Sequence, residues 1–290
     1  MKEIQGVLTA MATPFDERGE VDADAARRLA AHLLEHGSHG LVVAATSGEL
    51  PTLTDEEEIV LLRAVREEIG DDVLLVCGAG TNDTRHSCEL TKMVAEAGAD
   101  ASLVVAPYYN KPNRAGLRAH FESVAEAVPG LPLVMYNIPS RVVINMPPDL
   151  LGELGQVDNI VAVKQANDEE LGPIEGLTIL AGNDNTFLRV LEFGGGGGIT
   201  VASHIVGDRM REMWDAAQDG DLDRAREIDA GITPVYEATS VTTNPIPLKA
   251  ALAMLGLCQD RLRLPLVSAD EEQRAVIKAS LDAAGVAIPS

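Results

Sequence analysis

The feature that most restricts how this chain can fold is a series of eight short apolar runs, at residues 6–10, 40–44, 73–77, 101–106, 131–136, 160–163, 178–181 and 198–202. They are rich in Val, Ile and Leu, and most lack the polar alternation of a half-solvated strand. Strands covered on both faces read this way. Longer amphipathic stretches separate them. Asp22 stands before one, Thr54 and Glu57 have the spacing of a capping box before another, and Asn82 or Asp83 can cap a third, which Gly98 ends. Pro147-Pro148 introduces a further helix. Parallel strands interleaved with helices predict an α/β fold, and eight is the number that closes a (β/α)8 barrel. Such a barrel takes about 250 residues, so a chain of 290 leaves a modest remainder.

The strand pattern stops near Ala217. Residues 221–237, 247–257 and 269–284 all read as helices. The expected division is a barrel over residues 1–220 and a C-terminal helical domain over 221–290, with no glycine–serine linker between them. Five successive glycines at residues 194–198 lead into the eighth run. A flexible linker is one reading. A tight turn, where backbone must pass close to a neighbour, is the preferred one.

A formal charge of −22 argues against nucleic acid as a partner, because phosphate contacts need basic patches. Anionic membranes are disfavoured for the same reason, and no apolar run reaches the roughly 18 residues of a membrane span. Met1-Lys2-Glu3-Ile4-Gln5 lacks the apolar core of a signal peptide, so a cytoplasmic location is expected. The three cysteines have no spacing that suggests a disulfide framework, and the six histidines are scattered, so no metal site is expected.

Six of the 23 basic residues are lysines, and Lys164 alone among them directly ends an apolar strand-like run, Ile160-Val161-Ala162-Val163. Burial disfavours an ammonium, and an uncharged amine can attack a ketone to form a Schiff base. A lysine snorkelling from a strand end is the plain alternative. In a barrel of this kind the active site lies at the carboxyl ends of the strands. Those ends carry Thr13, Thr46-Ser47-Gly48-Glu49, Pro107-Tyr108-Tyr109-Asn110, Tyr136-Asn137-Ile138-Pro139-Ser140-Arg141, Gly182-Asn183-Asp184 and Ser203-His204. Together they hold what imine chemistry needs: an amine, a phenol, relaying hydroxyls and a guanidinium for a carboxylate. Singly, each has a structural explanation. The tyrosines could pack, Thr46-Ser47 could form a turn, Arg141 could be a surface charge, Asn183-Asp184 could cap a helix, and His204 could be structural.

The motifs GVLTAMATP (6–14), TSGE (46–49), PYYNKP (107–112), YNIPSR (136–141), Val163-Lys164, GND (182–184), GITV (198–201) and TNPIPLK (243–249) occur in one order along the chain. By them the chain resembles the dihydrodipicolinate synthase / N-acetylneuraminate lyase family of class I, pyruvate-dependent aldolases. The resemblance implies a TIM barrel with a C-terminal helical extension, in a homo-oligomer that is a tetramer of tight dimers, with no cofactor and no metal. It implies Lys164 as the Schiff-base lysine that takes pyruvate and Tyr136 as the phenol that moves protons. Thr46 would link Tyr136 to Tyr109, the latter reaching in from the dimer partner. Ser47 would hold the pyruvate carboxylate, Ile199 would contact pyruvate through its backbone, and Gly182 would belong to the substrate site. Arg141 would receive the carboxylate of the second substrate. Within the family the motifs lie nearest the synthase branch, which implies condensation of pyruvate with L-aspartate 4-semialdehyde toward diaminopimelate and lysine. Alternatives are another pyruvate aldolase, such as one acting on 2-keto-3-deoxy sugar acids, and a catalytically silent ligand-binding relative.

Some positions depart from the family pattern. Leu50 replaces a polar residue, Gln165 stands where glutamate is common, and Val142 where threonine is usual. Asp55, Glu58 and His86 fall where lysine-inhibited members carry other polar groups. Weak or absent feedback by lysine is the expectation.

Overall fold

The computed structural model describes residues 2–289. Eight parallel strands close into a barrel in chain order: β1 (Gly6–Ala10), β2 (Gly40–Val43), β3 (Leu74–Gly78), β4 (Ala101–Val105), β5 (Leu133–Asn137), β6 (Ile160–Gln165), β7 (Thr178–Ala181) and β8 (Gly197–Thr200). All eight expected strands are present. Their residues are almost all buried, because side chains fill the barrel on one face and helices cover the other.

Most strands keep the expected place with ends shifted by one or two residues, and two of the shifts have clear local reasons. β5 begins at Leu133 and not at residue 131. Pro132 lacks the N–H that a ladder position requires, although its carbonyl still accepts from Ser102 N at 2.9 Å. β6 runs on through Lys164 and Gln165, since Tyr136 pairs with Lys164 and Asn137 with Gln165 across the ladder. The polar residues therefore lie inside the strand, and the apolar run alone understates its length.

The helix starts follow the expected caps. Asp22 accepts from Ala25 N at 2.9 Å, and Thr54 and Glu57 form a reciprocal capping box. Asp83, not Asn82, caps the third helix through Arg85 N at 3.0 Å. The glycine run is a tight entry into β8. Gly197 has φ +88°, and a Cβ there would lie 2.3 Å from the carbonyl oxygen of Gly6 on the neighbouring strand. Only glycine fits both constraints.

Beyond residue 220 come the helices Leu222–Ser240, Ile246–Met254 and Glu271–Ala283. Ala238, Ala250, Ala251, Ala269, Ile277 and Leu281 form a buried core of their own. The segment between the first two of these helices, residues 241–245, reaches back over the carboxyl ends of the barrel strands. No helix among the described residues is long and apolar enough to cross a membrane.

Candidate active site

The ladder register sets the centre of the site. Tyr136 and Lys164 are direct partners on β5 and β6, and Lys164 Nζ lies 4.3 Å from the centroid of the Tyr136 ring. Lys164 is 3% and Tyr136 4% exposed. An ammonium over an aromatic face gains electrostatic attraction without needing a carboxylate partner, and Lys164 forms no ion pair or hydrogen bond with any described residue. Its amine faces a cleft of about 260 Å³ whose wall includes Thr46, Ser47, Tyr136, Arg141, Gly182, Asn183, Asp184 and Asn244.

The surrounding groups are held by bonds that leave the lysine free. Asp184 accepts from Val201 N at 2.7 Å and from Ala202 N at 3.0 Å, which ties the loop after β7 to the end of β8. Burial pushes its carboxyl above the usual range, opposed by those two amides and by the positive charge of Lys164. Ser47 is buried, and its Oγ accepts from Asn244 Nδ2 at 3.0 Å. Arg141, at the exposed rim, donates to the carbonyl of Asn244 at 3.0 Å and to Thr243 Oγ1 at 3.4 Å, both through one guanidinium nitrogen. Asn137 Nδ2 donates to Gln165 Oε1 at 2.9 Å, clamping the ends of β5 and β6 behind the Tyr136–Lys164 pair.

Six of the residues singled out from sequence thus share one cleft: Lys164, Tyr136, Thr46, Ser47, Arg141 and Gly182. Two do not. Tyr109 is 88% exposed, with φ +68°, and is on no wall of its own chain's cleft. Ile199 is buried within β8, paired with Leu8, and its side chain does not reach the cleft. Thr46 lines the cleft, but its hydroxyl makes no hydrogen bond to Tyr136. His204 is structural. Its Nε2 accepts from Ala12 N at 3.1 Å and its Nδ1 donates to Val201 O at 2.8 Å, which uses both ring nitrogens. Burial pushes its pKa down to about 4.

Asn185, Tyr236, Thr239, Ser240 and Asn244 also line the cleft without being site candidates from the sequence. Asn244 had a signal, the TNPIPLK motif. Tyr236 had none, being one aromatic inside a helix, and its hydroxyl is taken up by Asp229 at 3.0 Å. Among the described residues no cluster of His, Cys, Asp or Glu could hold a metal ion.

A larger hollow of about 510 Å³ adjoins the cleft and shares Thr46, Tyr136, Arg141 and Asn244 with it, but Lys164 does not line it. Its far wall holds Leu50, Asp55, Glu58, His86 and Tyr108. His86 Nε2 lies 3.0 Å from both Asp55 oxygens. Glu58 is 1% exposed, and burial pushes its pKa up from 4.5 to about 8, although Cys77 Sγ donates to it at 3.3 Å. Its folded pKa lies above the unfolded value. The protonated carboxyl therefore contributes its full stability below about pH 4.5, and that stability is lost as pH rises through about 8. The loss is on the order of a few kcal/mol. Glu58→Gln, which stays neutral, is expected to melt well above the wild type at pH 9 and close to it at pH 5. An equal shift at both pH values, followed by calorimetry, would contradict this assignment.

Fold and cleft together define a barrel enzyme with one unpaired lysine set against a phenol at the carboxyl ends of its strands. The chain belongs to the dihydrodipicolinate synthetase family, whose model matches residues 3–284. It is 43% identical over 282 residues to the 4-hydroxy-tetrahydrodipicolinate synthase of a Cyanothece species, covering 95% of this chain and 96% of that protein. It is 44% identical to the synthase of Parasynechococcus marenigrum, over 96% of this chain and 94% of that one. Among solved structures, the dihydrodipicolinate synthase of Aquifex aeolicus superposes with a TM-score of 0.93 at 35% identity, over 99% of this chain and 100% of that one. The enzyme of Cyanidioschyzon merolae, determined with lysine bound, superposes with a TM-score of 0.92 at 38% identity, over 98% and 99%.

Proposed function

We propose that this protein condenses pyruvate with L-aspartate 4-semialdehyde through a Schiff base on Lys164, which is the activity of a 4-hydroxy-tetrahydrodipicolinate synthase. The observation that carries this reading is the Lys164 amine, buried, unpaired and 4.3 Å from the Tyr136 ring, in a cleft with a guanidinium at its rim. Lys164 gives up a proton, and the free amine's electron pair attacks the ketone carbon of pyruvate; the proton goes to the former ketone oxygen, which departs as water and leaves an iminium. Tyr136 takes a proton from the adjacent methyl carbon as its own hydroxyl proton passes to Thr46, and the iminium accepts the electrons to become an enamine. The enamine carbon bonds to the aldehyde carbon, while Arg141 holds that substrate's carboxylate bidentately. The substrate's own amine then displaces Lys164, closing the ring.

In this scheme Ser47 receives the pyruvate carboxylate, Gly182 belongs to the wall of the substrate site, and Ile199, whose side chain is packed away from the cleft, meets the ketoacid through its backbone alone. Thr46 relays protons between Tyr136 and a Tyr109 supplied by a second copy of the chain. The 88% exposure of Tyr109 suits a side chain that is buried only in an oligomer, here a tetramer of tight dimers. Residues 1–220 act as the catalytic barrel, and residues 221–290 form the helical domain that lends Asn244 to the cleft. The enzyme works in the cytoplasm, without nucleic-acid or membrane partners.

The deciding assay is steady-state turnover of pyruvate with L-aspartate semialdehyde, coupled to the reductase that consumes the product. Turnover with glyceraldehyde in place of the semialdehyde would point to a sugar-acid aldolase. No turnover with any aldehyde would reject an enzymatic role. Leu50, Asp55, Glu58 and His86 make the larger hollow a poor receptor for a free lysine, since they place an apolar group, a protonated carboxyl and an already paired carboxylate there. L-Lysine is accordingly expected to leave activity unchanged below the millimolar range, and half-inhibition at lower concentration would refute this.

A further inference from the structure

Glu49 and Lys249 form an ion pair of 2.5 Å with side chains 1% and 0% exposed. Nothing in the reaction scheme uses them. Their bonds are nonetheless directional. Lys249 Nζ also donates to the carbonyl of Arg261 at 2.7 Å and lies 4.1 Å from the centroid of the Phe15 ring. The second carboxylate oxygen of Glu49 accepts from Arg263 N at 3.0 Å. Burial pushes the Lys249 pKa down, and Glu49 opposes that shift.

What matters is where the two residues sit along the chain. Glu49 is two residues beyond Ser47, in the turn that ends β2, and its backbone is left-handed at φ +57°, a conformation a non-glycine residue holds only when its surroundings impose it. Lys249 belongs to the helix Ile246–Met254, whose lead-in carries Asn244. Asn244 in turn bonds Ser47 Oγ and Arg141. Asn244 Oδ1 is buried with no partner among the described residues. The amide is therefore held in place less by its own bonds than by the backbone leading into that helix.

We propose that Glu49 and Lys249 are positioning residues for the pyruvate carboxylate, because their buried contact sets the gap between the Thr46–Ser47 turn and Asn244. This rests on the function proposed above and extends it to residues that do not touch substrate. A buried ion pair is a poor source of net stability compared with apolar side chains of the same volume. Its distinctive contribution is to hold two segments at one separation and orientation.

The test compares wild type with Glu49→Gln, Lys249→Met and the double variant, measuring KM and kcat for pyruvate alongside thermal melting. Lys249→Met is expected to melt lower and to raise the pyruvate KM by about tenfold with kcat within about threefold, the pattern of lost ground-state binding. The double variant leaves no charge unpaired, so its melting temperature recovers while its KM stays high. A KM that returns to the wild-type value together with stability makes the pair merely structural and overturns the proposal, as does an unchanged KM in both single variants. Should Lys249→Met fail to fold, the nearly isosteric Glu49→Gln carries the test alone, with the same rise in KM expected. Borohydride trapping of pyruvate on the wild-type protein separates the two levels. No adduct on Lys164 rejects the proposed function and this inference with it, whereas an adduct accompanied by unaltered KM values rejects the inference alone.

Discussion

Lys164→Ala is expected to lose pyruvate turnover by on the order of 10⁴-fold or more and to give no borohydride-trapped adduct by mass spectrometry. Lys249 is the other fully buried lysine, but it is committed to Glu49 and to the carbonyl of Arg261. Lys92, Lys111 and Lys278 are exposed, and Lys2 is paired with Asp100. Lys164 alone has a buried amine without a partner, opening on the cleft. Lys164→Arg should fail equally, because a guanidinium retains the charge but cannot form the imine. Measurable adduct on either variant would move the chemistry to another residue and reject the mechanism.

Tyr136→Phe is the second large effect, and it should divide the reaction differently. The ring stays, so the aromatic face 4.3 Å from Lys164 Nζ stays with it. The hydroxyl goes, and with it, in the proposed mechanism, the proton transfer that makes and unmakes the enamine. Loss of a positioned general acid–base typically costs about 10²- to 10⁴-fold, and kcat is expected to fall within that range. Pyruvate should still be trapped on Lys164, more slowly, since attack on the ketone needs the amine first. A Tyr136→Phe protein with kcat within about threefold of wild type would remove the phenol from the mechanism. A variant that neither turns over nor traps pyruvate would show that the hydroxyl is needed for imine formation itself.

Much of the barrel is legible because strand burial and helix capping are local. A run such as Leu74-Leu75-Val76 is apolar at every position, as both faces of its strand are covered, and Thr54 finds Glu57 three residues away whatever else the chain does. Lys164 and Tyr136 are legible for a related reason, being polar residues directly attached to such runs. The register between them is not local. β6 continues two residues past its apolar core because Asn137 and Gln165 pair across the ladder and through their side chains. Pattern alone ends that strand too soon.

The contacts that finish the cleft join residues far apart in the chain, and no periodicity encodes them. Asn244 meets Ser47 across 197 positions, and Lys249 meets Glu49 across 200. Glu58 looks like any acid in the first turn of a helix, yet packing buries it against Cys77 and raises its pKa to about 8. Tyr109 reads as a site residue but stands in solvent on its own chain. Composition, spacing and motif were therefore enough for the barrel and for a buried lysine beside a phenol at its strand ends, since each depends on neighbours a few positions away. Which of those residues touch, and which carboxyl keeps its proton, was settled by folding, because desolvation and hydrogen bonding depend on atoms brought together from opposite ends of the chain.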